Sequence, residues 1–297
     1  MSDDHSDEPL GAVCYEFNSI LNITYARTPH NMGCGGNRRF ALEYFFENPT
    51  EYVMFLDSDD ALVPQAIQRL GEAITNNDAD LICTDIIKDM VGPVQDYIKA
   101  GESRTWLHGK IYRSAFLKEH NINFPAHIKT NEDLAFNLSI YAYDPDSYLL
   151  SEPLYFWRFA DNSITHSNSS LKIQQGCRSV DYIEAIYWAF GHYTKTNLSN
   201  QMKANIINCY TYYQNGIAYG TLQEVNKQHV RKMLHHPQVA EMLVKLYGYP
   251  DADFQLKQWC IRGDELVFYG QTFGQWIMQF FKPEEIKELI QKSGLQK

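Results

Sequence analysis

The feature that most constrains this chain is a short apolar run, Tyr52 to Leu56, that delivers three carboxylates at its end, in Asp57-Ser58-Asp59-Asp60. Such a run of β-forming residues reads as a buried strand. Upstream, Leu10, Val13, Cys14, Phe17, Ile20 and Leu21 recur at helical spacing, and Ile23 to Ala26 alternates weakly before a loop rich in Pro, His, Asn and Gly. Phe40, Ala41, Tyr44 and Phe45 then make one helical face, which Asn48 and Pro49 stop. Downstream, Pro64 suits a first helical turn, Ile67, Leu70, Ala73 and Ile74 form a stripe, and Ala79 to Thr84 reads as another buried strand. This alternation predicts an α/β fold whose mostly parallel sheet is covered by helices on both faces. Open sheets of this kind bind ligands at the C-terminal ends of their strands, where the carboxylates stand.

Past about Ser170 the pattern turns to long helical periods (Ile173, Cys177, Val180, Ile183, Ile186, Tyr187, Phe190; later Phe273, Trp276, Ile277, Phe280, Phe281). Two domains are therefore expected, 1–166 with the sheet and 167–297 helical. The Tyr-rich stretch Cys209 to Tyr219 suits a sugar-stacking or partner surface, but aromatics at helical spacing are more often core. The net charge of −10 argues against a nucleic-acid partner. Most of it lies in the first sixty residues, where eleven carboxylates face only Arg27, Arg38 and Arg39, a balance that asks for a cation. Six scattered cysteines without a CxxC pair point to a reducing compartment rather than to zinc. No apolar run approaches the roughly 20 residues of a membrane span. A soluble, cytoplasmic protein is expected, with attachment to the inner face of the membrane and homo-oligomerisation left open.

Three stretches carry chemistry. Asp57, Asp59 and Asp60 suit Mg²⁺ or Mn²⁺ bridging a diphosphate, or else an acidic loop capping the next helix. Gly33 to Arg39, with three glycines and two arginines at a helix start, suits an anion or simply a turn. Glu132-Asp133 opens a helix with face Leu134, Phe136, Leu138, Ile140 and Tyr141; Asp133 is either a first-turn charge or a rigidly held general base. His108 and Lys110 are candidates for the cleft lining, against an ordinary structural role.

In this order, these stretches resemble a family 2 nucleotide-sugar glycosyltransferase of the GT-A fold, over about residues 1 to 166. The family's acidic motif corresponds to Asp3-Asp4-His5-Ser6, its Gly-rich Ala-Arg-Asn segment to Gly33–Arg39, its metal motif to Asp57-Ser58-Asp59-Asp60 and its Glu-Asp pair to Glu132-Asp133. Trp106 to Arg113 and Tyr155 to Ser163 resemble segments around the acceptor cleft and the diphosphate. Arg39 stands where the family usually has Asn, so Arg38 inherits the nucleotide or phosphate role.

The resemblance implies an inverting transfer of a sugar from a nucleotide-diphosphate donor, with UDP the expected nucleotide, to a hydroxyl of a glycan or similar acceptor. It assigns the cation to Asp59 with Asp57 and Asp60, the acceptor proton to Asp133, and donor contacts to Asp3, Asp4, Arg38, Asp57, Arg158 and Ser163. The family also places a strand, helix and strand of about 30 residues before its first acidic motif, whereas Asp3 here follows Met1-Ser2. The edge beside the strand ending at Asp57 and the apolar face would otherwise stay open, so that edge is expected to pair with another segment or subunit, or to be restored by further N-terminal residues. Two other classes are weighed: a non-catalytic binding protein of glycosyltransferase descent, and a haloacid-dehalogenase-type phosphatase, which Ala61 disfavours because Thr or Val is expected there.

Overall fold

The computed structural model describes residues 1–89, 95–101, 105–158, 171–193, 197–248, 267–268, 271–272 and 279–292. The chain forms two compact units, Met1–Ser169 and Ser170–Lys297.

The first unit is organised by β5 (Leu81–Asp89), whose first six residues are buried. On one side it pairs in parallel with β8 (Ser147–Trp157), with a register shift at Thr84 to Ile86. On the other it pairs antiparallel with β7 (Lys110–Arg113), which in turn pairs antiparallel with β3 (Tyr52–Met54). Two short strands, β4 (Ala61–Leu62) beside β8 and β6 (Gln95–Ile98) beside the end of β5, complete a six-stranded sheet.

The α/β class agrees with the expectation, but the sheet is mixed rather than mostly parallel. Strands β3, β5 and β8 share a direction, and β7 runs against them. The cause is the connection. A parallel neighbour needs a crossover, which α4 (Ser114–Glu119) and α5 (Glu132–Tyr141) supply before β8, whereas no helix separates β5 from β7 among the described residues.

Alternation along the strands sends side chains to two cores. Leu81, Cys83 and Tyr112 pack with Leu42 of α2 (Gly33–Phe45), Phe116 and Leu117 of α4, and Phe136 and Ile140 of α5. Ile82 and Ile111 point the other way, onto Ala66, Leu70 and Ala73 of α3 (Ala66–Asn76). Burying one such side chain stabilises the fold by roughly 1.5–3 kcal/mol. Among the described residues β3 pairs with β7 alone, and β1 (Ser2–Asp3) and β2 (Ala26–Arg27) form a separate parallel pair. Helix α1 (Gly11–Phe17) connects them, and Val13, Tyr15 and Phe17 on it, with Ile20 and Leu21 beyond, are exposed.

The second unit is helical: α6 (Leu171–Tyr193), α7 (Asn200–Ala218), α8 (Glu224–Leu234), α9 (Pro237–Gly248) and a last helix, Pro283–Lys292. In the Tyr-rich stretch, Tyr210 and Tyr213 are buried and Tyr212 stacks on Tyr182 with ring centroids 3.7 Å apart, so it serves as core. Residues 273–278 of the expected aromatic helix lie outside the described residues. Among the described residues no helix is long and apolar enough to cross a membrane. Cys14, Cys34, Cys83 and Cys209 are free thiols.

Candidate active site

The acidic stretch after β3 folds as a tight turn closed by the Asp60 amide donating to the Asp57 carbonyl, 3.1 Å. In such a turn the first and last residues come together while the middle two face solvent. Asp57 and Asp60 accordingly draw near each other, and Ser58 and Asp59 are exposed. The Asp60 side chain, 2% exposed, accepts from the Tyr155 hydroxyl at 2.6 Å and from the Arg158 amide at 2.9 Å. Asp57 keeps a third of its surface in solvent and takes Arg38 Nη2 at 2.6 Å.

Between them lies His108, with Nε2 3.8 Å from Asp57 Oδ2 and 3.6 Å from Asp60 Oδ2. Its ring stacks on Trp157 at 5.0 Å and packs against Trp106 and Tyr155. The neighbouring Gly109 fixes this placement. Its φ is +64°, and a Cβ there would stand 2.7 Å from Thr84 Oγ1, so a side chain is excluded twice over.

Asp57 and Asp60 differ electrostatically. Burial works against charge on Asp57, but His108 and the Arg38 guanidinium outweigh it and hold its carboxyl well below the usual carboxylate range. At Asp60 burial dominates over the Tyr155 and Arg158 hydrogen bonds and raises it. One ligand atom from each of Asp57, Asp60 and His108 fits within 4.8 Å of the others. Two carboxylate oxygens at that spacing suit Mg²⁺ or Mn²⁺, and the imidazole nitrogen favours Mn²⁺ of the two, so the residues fit the expected cation.

The second half of the site is the start of α5. Asn131, at φ +68°, turns the chain into the helix, placing Glu132 and Asp133 in its first turn. Glu132 is buried and takes Arg38 Nη1 at 2.5 Å, so one guanidinium joins the carboxylate turn to the helix. Burial pushes Glu132 up to about 7 against the pull of Arg38. Asp133 is likewise raised by burial, countered by its bond to the Leu134 amide and by Arg38, His108 and Lys110. One turn on, the buried Asn137 amide donates to the Asp133 and Thr105 carbonyls, and its oxygen accepts from Lys110 Nζ and the Tyr112 hydroxyl. Lys110 is buried and donates to the Trp106 carbonyl, so it locks the helix to the sheet and the loop before it.

The remaining expected residues fall elsewhere. Asp3 is buried, accepting from the Ser6 amide at 2.9 Å and the Tyr25 hydroxyl at 2.6 Å, with Arg27 3.6 Å away; the Tyr25 bond, foremost, holds it well below the carboxylate range. Asp4 accepts from the Met32 amide at 2.7 Å, joining the end of β1 to the approach to α2. Arg39 is engaged by Glu43 on its own helix. The Arg158 side chain is exposed, and Ser163 lies outside the described residues. In the Gly-rich segment Gly35 is needed for packing, since a Cβ would come within 2.7 Å of the Pro125 carbonyl oxygen. Sequence reasoning missed the Arg38–Glu132 bridge and the part of Tyr155; the only signal for the first was a pair of arginines beside glycines.

The sequence pattern described as "Glycosyl transferase family 2" matches residues 1–131. The poly(ribitol-phosphate) beta-N-acetylglucosaminyltransferase TarS of Staphylococcus aureus is 26% identical over 168 residues, covering 52% of this chain and 29% of that protein. A poly(ribitol-phosphate) beta-glucosyltransferase of Bacillus spizizenii is 28% identical over 151 residues, 47% of this chain and 23% of that protein. The matched stretches thus span under a third of the length of either relative. Among solved structures, S. aureus TarS 1–349 in complex with UDP superposes with a TM-score of 0.56 at 18% identity, covering 88% of this chain and 77% of that one. The complex with UDP-GlcNAc gives 0.56 over 82% and 73%. These similarities agree with the GT-A-type fold, and residues 1–131 match the pattern of glycosyl transferase family 2.

Proposed function

We propose that the chain is an inverting, divalent-cation-dependent glycosyltransferase that moves a sugar from a UDP donor to a hydroxyl of a polyol-phosphate or glycan polymer. The observation that carries this reading is the meeting of the Asp57–Asp60 turn and the first turn of α5 across Arg38, in a domain that matches this family's pattern. The relatives' names supply the donor class and the poly(ribitol-phosphate) acceptor class.

Asp57 and Asp60 would hold Mn²⁺ or Mg²⁺, with His108 as a nitrogen ligand in the Mn²⁺ case, and Asp59 adds an exposed carboxylate on the same turn. When bound, the cation would neutralise charge on the departing diphosphate. Asp133 takes the proton from the acceptor hydroxyl as its oxygen attacks the anomeric carbon and UDP leaves. A carboxylate raised by burial is a better proton acceptor than one in water. Asp4, the Arg158 side chain and Ser163 are assigned to the nucleotide side, with Asp3 holding the loop behind them through Ser6 and Tyr25. Cytoplasmic location and association with a membrane surface go with the polymer substrate.

The test is UDP release from UDP-GlcNAc and from UDP-glucose with Mn²⁺, with and without poly(ribitol phosphate). Release that depends on acceptor supports the reading. Donor binding without release from either sugar nucleotide would favour a non-catalytic module.

A further inference from the structure

The guanidinium of Arg38 is buried and shared. Nη2 lies 2.6 Å from Asp57 and Nη1 2.5 Å from Glu132, with 17% of the side chain exposed. The two acceptors belong to different halves of the site and lie 75 positions apart in sequence, Asp57 on the turn after β3 and Glu132 beside the assigned base. Arg38 sits on α2, which packs closely against the start of α5: a Cβ on Gly35 would come within 3.2 Å of the Glu132 Cβ. A planar fork with two parallel donor edges suits this bridge, and a lysine ammonium would not reproduce it.

We propose that Arg38 and Glu132 are positioning residues that couple cation and nucleotide binding at Asp57 to the helix start that carries Asp133. The proposal rests on the reading given under Proposed function. Its logic is competition for one carboxylate. A divalent cation bound at Asp57 repels the guanidinium and weakens that ion pair. A buried guanidinium without an acceptor is costly. Glu132 removes the cost by offering a second carboxylate, so Arg38 leans on Glu132 when Asp57 is engaged by a cation. By reciprocity, whatever strengthens the Arg38–Glu132 pair also favours cation binding, and a loaded donor site firms the first turn of α5. Neither residue need touch the donor or acceptor. This differs from the phosphate-contact role expected for Arg38 from sequence, because both of its Nη nitrogens already donate within the protein.

The experiment is a double-mutant cycle read by calorimetry of UDP binding in saturating Mn²⁺ at about pH 8, where carboxylates are ionised. The proteins are wild type, Glu132→Gln, Arg38→Met and the double variant, each with its Tm. Glu132→Gln keeps shape and hydrogen bonding but removes the charge. It is expected to weaken Mn²⁺–UDP binding about 5-fold or more, and to change it less than about 2-fold in the Arg38→Met background. Turnover should show the same loss in kcat beyond the change in KM. If Arg38→Met does not fold, Arg38→Lys replaces it, and the Glu132→Gln effect should at least halve. Wild-type affinity in Glu132→Gln, or an equal loss in both backgrounds, overturns the coupling while leaving the donor reading intact. Failure of the wild type itself to bind Mn²⁺–UDP overturns the donor reading, and this proposal with it.

Discussion

Two acidic motifs end short strands in this domain, and they are put to different uses. At Asp3 the carboxylate is closed off: two backbone amides, the Tyr25 hydroxyl and Arg27 surround it, and no side-chain surface is left to solvent. At Asp57 the carboxylate is part exposed, shares one arginine with a second acid and stands 3.8 Å from an imidazole. Two acidic motifs at strand ends can therefore differ in how much of the carboxylate their partners leave open. Asp3 is closed off by its partners, whereas Asp57 keeps part of its carboxylate open.

That contrast can be broken experimentally. The largest effect is expected at the helix that the Asp57 half of the site contacts: Asp133→Asn should keep donor binding but lower transfer on the order of 10²-fold or more. Retained turnover would move the base elsewhere. Next, Gly109→Ala forces a side chain into a left-handed position against Thr84, at a cost on the order of 1–3 kcal/mol that thermal unfolding would register. Because Gly109 seats His108, the variant should also lose Mn²⁺ affinity. An unchanged Tm would mean that the loop adapts freely.

Asp3→Asn should do the opposite of a change at Asp57. It removes the charge that Tyr25 and Arg27 answer, costing roughly 1–2 kcal/mol of stability, with UDP affinity nearly intact. A large affinity loss at unchanged stability would return Asp3 to the nucleotide pocket. The smallest effect concerns pH. Glu132 titrates near 7 in the fold against an ordinary 4.5, so the folded protein retains a proton that the unfolded chain releases in that window. Its contribution is therefore fully present below about 4.5 and is lost as pH rises through 7. Stability of the wild type should fall more steeply with pH there than that of Glu132→Gln. Parallel curves would show that Arg38 keeps Glu132 ionised throughout.

Much of this was legible in the sequence because it rests on local pattern. The helices over Phe40–Phe45, Ile67–Ile74 and Leu134–Tyr141, and the strands ending near Asp57 and starting at Leu81, follow from apolar spacing. The reversed β7 was not legible, since Lys110–Arg113 is only four residues and its direction depends on the absent crossover. Within the site, the acidic turn and the Glu-Asp pair were readable as types. Which acids face each other was not. Turn geometry brings Asp57 and Asp60 together and leaves Asp59 exposed, and only tertiary packing brings His108 between them. The Arg38 bridge spans two segments that nothing in the local pattern connects.

On the proposed reading the Asp57–Asp60 turn is a cation-dependent donor site. The most direct measurement is calorimetric titration of the whole chain with UDP in Mn²⁺, repeated in EDTA and with Asp57→Ala. The account predicts binding in Mn²⁺ that is lost in EDTA and in the variant, while the variant remains folded by its Tm. Equal UDP affinity in all three titrations would contradict it.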